Sequence, residues 1–188
     1  MRKVAFYVLN GFAVLATLFI AGYAFEDPGG WQALGGMAAW IVPMVVLGLL
    51  AWRFPGEMHA PLLVLSLISI VVSWSQAVWF QNWRDFLNTT GPVLSIGTFA
   101  LVYALNVYAR YHDELFAGSL MVVVAISPIL SQFVGTGFHA GLLGGSTSAM
   151  LMPGVLIGVI YAAEGFVDRR NAGTKRGASV TGSTWGHA

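Results

Sequence analysis

Trp31 to Trp52 reads WQALGGMAAWIVPMVVLGLLAW, a stretch without one Asp, Glu, Lys, Arg or His, and Arg53 follows it directly. As a helix rising 1.5 Å per residue it covers about 33 Å, enough for a hydrocarbon core of about 30 Å. Stretches of the same kind lie on either side: Val4 to Phe25, Pro61 to Phe80, Pro92 to Ala109, Leu115 to Phe138 and Gly141 to Val167. The chain therefore reads as an all-α polytopic integral membrane protein of six transmembrane helices at 4–25, 31–52, 61–80, 92–109, 115–138 and 141–167. They form one domain over residues 1–170.

The basic residues then assign an orientation. With both termini cytoplasmic, Arg2, Lys3, Arg53, Arg110, Arg169, Arg170, Lys175 and Arg176 fall inside and Arg84 alone falls outside, the positive-inside pattern. Composition agrees: hydrophobic residues make up 57% and charged residues 9% of the chain, against about 25% charged in soluble domains. A soluble fold of that composition would expose too much apolar surface. The net charge of +1 hides the sided distribution and gives no reason to expect a nucleic-acid partner. The absence of cysteine removes disulfides, thiolate catalysis and Cys-ligated metals.

Arg2 and Lys3, an apolar run and the small residues from Ala21 to Ala24 resemble a signal peptide, but the run exceeds the usual 7 to 15 residues of an h-region and reads as a retained helix. Asn171 to Ala188, rich in Gly, Ser and Thr with scattered basic residues, reads as a flexible cytoplasmic tail drawn to anionic headgroups. Loops are short. Glu26 to Gly30 form an acidic outer turn, Phe54 to His59 an inner turn, and Pro61 suits the first turn of the next helix. The longest loop, Gln81 to Gly91, carries Trp83, Arg84, Asp85 and Phe86; with Trp74, Trp79 and Phe80 it reads as an aromatic belt at the outer interface. Asn88, Thr89 and Thr90 make a glycosylation sequon, set aside because the Ala and Gly richness points to a bacterium with a GC-rich genome, and so to the inner membrane.

Ionisable side chains inside a bilayer are costly and usually functional. On this map none lies near the middle of a helix, which argues against a proton relay, an ion-coupled pump or a metalloprotease. Glu164 comes nearest, about one turn from the end of the last helix, and reads as an interfacial carboxylate within reach of Arg169, Arg170 or water. His139 reads as a turn residue; His59 and His112 lie at inner helix ends, without the buried, opposed placement that axial haem ligands need. No catalytic, metal-ligating or cofactor-binding residue is assigned, and no cofactor is expected.

The helices instead carry small and weakly polar residues. Ser66, Ser69, Ser73 and Gln76 share one face of the third helix, while Ser127, Ser131 and Gln132 cluster around Pro128 on the fifth. Such groups serve as packing glue between helices or as the lining of a polar path for a small neutral solute; the candidate lining is Ser69, Ser73, Gln76, Ser127, Ser131 and Gln132. On the sixth helix Gly154, Gly158 and Ala162, continuing the spacing of Gly137, Gly141 and Gly145, form a ridge that lets another backbone approach, from this chain or from a partner. Pro43 and Pro128 interrupt the second helix of each three-helix half, a pattern that in transporters can mark a site and that many membrane helices tolerate.

Phe19 to Asp27 (FIAGYAFED), Ile41 to Arg53 (IVPMVVLGLLAWR) and Gly91, Pro92 and Val93 carry a resemblance, over the first 110 residues or so, to a bacterial family of small four-helix membrane proteins described only as a domain of unknown function. It implies antiparallel helices and no activity, and leaves the fifth and sixth helices and the tail uncovered. In total size, and in Ser119, Leu120 and Pro128 on one helix, the chain also resembles the six-helix urea and amide channels, whose expected outside termini oppose the charge map. The expected function is a non-enzymatic accessory or scaffold subunit, packed in the lipid bilayer against another membrane protein or a further copy of itself through the ridge of helix six. The alternative is a passive channel or transporter for a small neutral solute.

Overall fold

The computed structural model describes residues 2–26, 30–78, 81–136 and 146–181, with side chains over 3–18, 34–75, 96–131, 134 and 151–172. Every described segment is helical: α1 (Arg2–Glu26), α2 (Gly30–Arg53), α3 (Pro55–Val78), α4 (Gln81–Tyr111), α5 (Glu114–Thr136) and α6 (Ser146–Thr181). Four stretches, Leu34–Arg53, Pro55–Ser75, Glu114–Ser131 and Leu151–Ala172, are long and apolar enough to cross a membrane. In the first two only 22% of the residues are buried. The apolar side chains face out: on α3, Val64, Leu67, Ile68 and Val71 are exposed while Leu62, Ser66 and Ser73 are buried. That polarity is the reverse of a water-soluble helix and suits a lipid-facing one.

α4 is the axis of the bundle and touches every other helix. From Thr98 to Ala109 all its residues but the half-buried Tyr103 are buried. Each face meets a different neighbour. Phe99 stacks on Trp40 of α2 at 4.8 Å and lies 6.1 Å from Phe12 of α1. The Thr98 and Ser69 hydroxyls, from α4 and α3, are 3.2 Å apart. Tyr108 faces His59 of α3 and Phe116 of α5, and Tyr111 meets Phe6 of α1. α5 packs on α3 and on α6, and α6 closes on α1, so the outer helices run in the order α1, α2, α3, α5, α6 around α4.

These contacts gather the basic residues at one end. α1 begins there beside Tyr111, α3 begins there with His59 beside Tyr108, and Arg169 of α6 reaches Asp113 in the α4–α5 turn at 2.9 Å. Lys3, Arg53, Arg110, Arg169 and Arg170 thus share the end that α1, α3 and α5 leave and α2, α4 and α6 enter.

Helix limits differ from those expected in four places. The inner turn Phe54 to His59 shrinks to Phe54: its N–H donates to the Leu50 carbonyl, and its own carbonyl accepts from Met58 N–H. Pro55 takes the first helical position, where its missing N–H costs nothing, and Pro61 sits in the second turn with both it and Glu57 exposed. The expected loop Gln81 to Gly91 is helix, giving α4 31 residues. The tail expected to be flexible is helical as far as Thr181. α6 opens at Ser146, and the outer turns at 27–29 and 137–145, with His139, lie outside the described residues. α2 and α5 run on through Pro43 and Pro128, so neither helix is broken there.

Candidate functional site in the bundle interior

The sequence-derived polar path comes first. Ser73, Ser127 and Ser131 are buried, but each hydroxyl donates to a carbonyl of its own helix: Ser73 to Ser69 (2.6 Å), Ser127 to Val123 (2.7 Å) and Ser131 to Pro128 (3.0 Å). Ser66 does the same toward Leu62, at 2.6 Å. Ser69 joins α3 to α4 through Thr98. α3 and α5 do pack together, so the two serine faces are near neighbours. Their hydroxyls are nonetheless spent on local bonds, the common fate of Ser in membrane helices. The side chains of Gln76 and Gln132 lie outside the described residues.

The ridge on α6 comes second, and its neighbour is α5 of the same chain. A Cβ on Gly158 would stand 2.9 Å from Val122 Cγ2 and 3.0 Å from both the Gly118 carbonyl oxygen and the Val122 nitrogen. One on Gly118 would stand 2.5 Å from the Ala162 nitrogen, and one on Gly165 2.6 Å from the Leu115 nitrogen. Gly154 turns instead to α4, where a Cβ would meet Val102 Cγ1 at 2.7 Å. Gly154, Gly158 and Ala162, extended by Gly165 and answered by Gly118, therefore seat α6 within the monomer. Gly48 of α2 does likewise for Tyr103, whose ring would lie 3.0 Å from an added Cβ.

The polar interactions that cross between helices elsewhere are made by side chains that sequence reasoning passed over. Tyr103 donates to Asn10 Oδ1 at 2.8 Å, while Asn10 Nδ2 donates to the Phe6 carbonyl. Trp40 donates to Thr17 at 3.0 Å. Deepest is the pair Asn106 and Tyr161, both 0% exposed, in which the Tyr161 hydroxyl donates to Asn106 Oδ1 at 3.1 Å. Asn106 Nδ2 is buried with no acceptor among the described residues. A donor left in that state costs about 1–3 kcal/mol. Around Tyr161 gather the charges of Arg110, Glu114 and Glu164, all half-buried, from α4, α5 and α6. Glu164 is thus part of a three-helix cluster facing Tyr161, while Arg169 pairs with Asp113. The sequence does carry a signal for these residues: Asn10 and Asn106 are carboxamides within apolar helices, less conspicuous than the ionisable groups or the serine and glutamine faces.

At the basic end, His59 Nδ1 lies 3.3 Å from the Tyr108 hydroxyl, and its ring stacks on Phe116 at 3.8 Å. Asp113 has two tasks: Oδ1 accepts the Phe116 N–H at 3.0 Å, capping α5, and its carboxylate takes Arg169. Asp113→Ala is expected to lower stability by about 1–2 kcal/mol, mostly through the lost cap, since the Arg169 partner is well exposed and such pairs contribute 0–1 kcal/mol. Asp113→Asn keeps a capping oxygen and should retain most of it; thermal midpoints of the two variants in detergent, equal within error, would refute the capping account. Among the described residues no three His, Cys, Asp or Glu side chains group to hold a metal ion. No family model matches the chain, and no curated protein or solved structure is found similar to it.

Proposed function

We propose that this protein is a six-span membrane protein of the bacterial inner membrane, both termini cytoplasmic, acting as a non-enzymatic accessory or scaffold subunit. The orientation is supported by Lys3, Arg53, Arg110, Arg169 and Arg170 sharing one end of the bundle, which the positive-inside rule assigns to the cytoplasm. The accessory role rests on one observation: the buried Ser66, Ser73, Ser127 and Ser131 hydroxyls are bonded to their own helices, so the serine faces read as packing. The solute-path reading draws less support for that reason.

Because α5 covers the α6 ridge, a partner would meet an outward face. α2 offers one in Gly35, Gly36, Ala38 and Ala39, all exposed, where a Cβ at either glycine would meet nothing within 4 Å. Small residues of this kind let membrane helices approach closely. The test is recovery of the tagged protein from its native membrane in mild detergent, with mass and companions determined. A stoichiometric membrane partner, lost on Gly35→Leu with Gly36→Leu while the bundle stays folded, is the expected result. A lone species that passes a small neutral solute across liposomes would replace this reading with the solute pathway.

A further inference from the structure

We propose that Asn106 and Tyr161 form a buried site for one water molecule in the α4–α5–α6 interior, approached from the basic end past Arg110, Glu114 and Glu164. This stands apart from the accessory reading and does not depend on it. The first ground is hydrogen-bond arithmetic. A carboxamide brings two donor hydrogens and an acceptor oxygen, and a phenol one donor. The Tyr161 hydroxyl spends its proton on Asn106 Oδ1, leaving Nδ2 without an acceptor in a position that is 0% exposed. Turning the amide over does not repair this. Nδ2 would then donate to the Tyr161 oxygen, and both Oδ1 and the phenol proton would lack partners. Neither orientation satisfies the pair from within the described residues, and in the observed one a water accepting a proton from Nδ2 supplies a missing partner.

The surroundings select the class of ligand. The free group is a donor, which a cation cannot use. Of the charges acting on the same hydroxyl, Arg110 is opposed by Glu114 and Glu164, so the cluster offers no surplus positive charge to offset the cost of burying an anion. A neutral hydrogen-bond acceptor remains. Its size is limited because the helices stand in backbone contact here: a Cβ on Gly118 would lie 2.8 Å from Tyr161 Cβ and 2.8 Å from the Gly158 carbonyl oxygen. Packing this close leaves no room for a larger guest, and buried waters in proteins typically satisfy polar groups of this kind. Arg110, Glu114 and Glu164, the charges acting on Tyr161, are only half-buried, which makes the basic end the side of approach in this proposal.

Radiolytic hydroxyl-radical footprinting of the full-length protein in nanodiscs tests this, because radicals generated from a bound water oxidise the side chain beside it. Tyr161 should be oxidised on the order of tenfold faster, after correction for intrinsic reactivity, than the equally buried Met121 on α5. In Asn106→Leu that oxidation should fall to the Met121 level. Tyr161 labelled no faster than Met121 in the parent protein would overturn the proposal without any variant. Labelling that persists in a folded Asn106→Leu would overturn it as well, since the water would then not be held by the amide.

Discussion

Gly118→Val is expected to separate α5 from α6 and to leave little folded protein, with a loss at or above the top of the 1–3 kcal/mol range for overpacking. The reason is what the new side chain would strike. Its Cβ would lie 2.5 Å from the Ala162 nitrogen and 2.8 Å from the Gly158 carbonyl oxygen, both backbone atoms that no rotamer change can move. Gly165→Val meets the same kind of obstacle at the Leu115 nitrogen. Gly154→Val is expected to be milder: its nearest obstacle, Val102 Cγ1 at 2.7 Å, belongs to a side chain, though a stiff β-branched one. Gly11→Ala and Gly35→Ala have open space and should be neutral or gain up to about 1 kcal/mol from helix propensity. Monodispersity and the thermal midpoint in detergent read all five. Equal midpoints for Gly118→Val and Gly35→Ala would mean that α5 and α6 do not meet as described.

The contrast among these glycines shows how far the sequence could be read. Spacing at Gly154, Gly158 and Ala162 announced a close helix contact, because small residues every fourth position make a flat ridge whatever lies against it. It could not name the occupant, since the answering residue, Gly118, stands alone on α5 without a comparable pattern. Helix positions were legible wherever an apolar run ended at a charge, as at Arg53 and Arg110. They were misread where aromatic and polar residues continue a helix beyond its apolar part, from Gln81 to Gly91 and from Asn171 to Thr181. The central place of α4 was hidden for another reason: nearly every residue from Thr98 to Ala109 is enclosed by five neighbours, and an apolar run reads the same whether lipid or other helices surround it. Ser66, Ser69 and Ser73 recur every third or fourth residue along α3, and Ser127 and Ser131 lie one turn apart on α5. Their chemistry was decided by which carbonyl each hydroxyl reached, and in a helix its own preceding turn is always within range.

The outward apolar surface leads to the second large effect. Leu67 lies near the middle of α3 and is 52% exposed, among Val64, Ile68 and Val71. In a water-soluble bundle, Arg at such a position would change stability by no more than about 0.5 kcal/mol and would aid solubility. In a bilayer it places a guanidinium near the centre of a span, at about 2.5–3.5 kcal/mol by insertion scales. That is on the order of a hundredfold in the insertion equilibrium of α3. Membrane-integrated Leu67→Arg, measured as the fraction resistant to alkaline extraction, should therefore fall steeply. Leu105→Ala on α4 offers the complementary comparison. Leu105 is 0% exposed, so truncation removes interior contacts and should cost about 2–5 kcal/mol of folded stability while leaving integration intact. The two losses separate what lipid does from what the core does: one variant fails to enter the membrane, and the other enters and packs poorly. Leu67→Arg protein that integrates as well as the parent, or turns up folded in the aqueous fraction, would sink the membrane reading of that face.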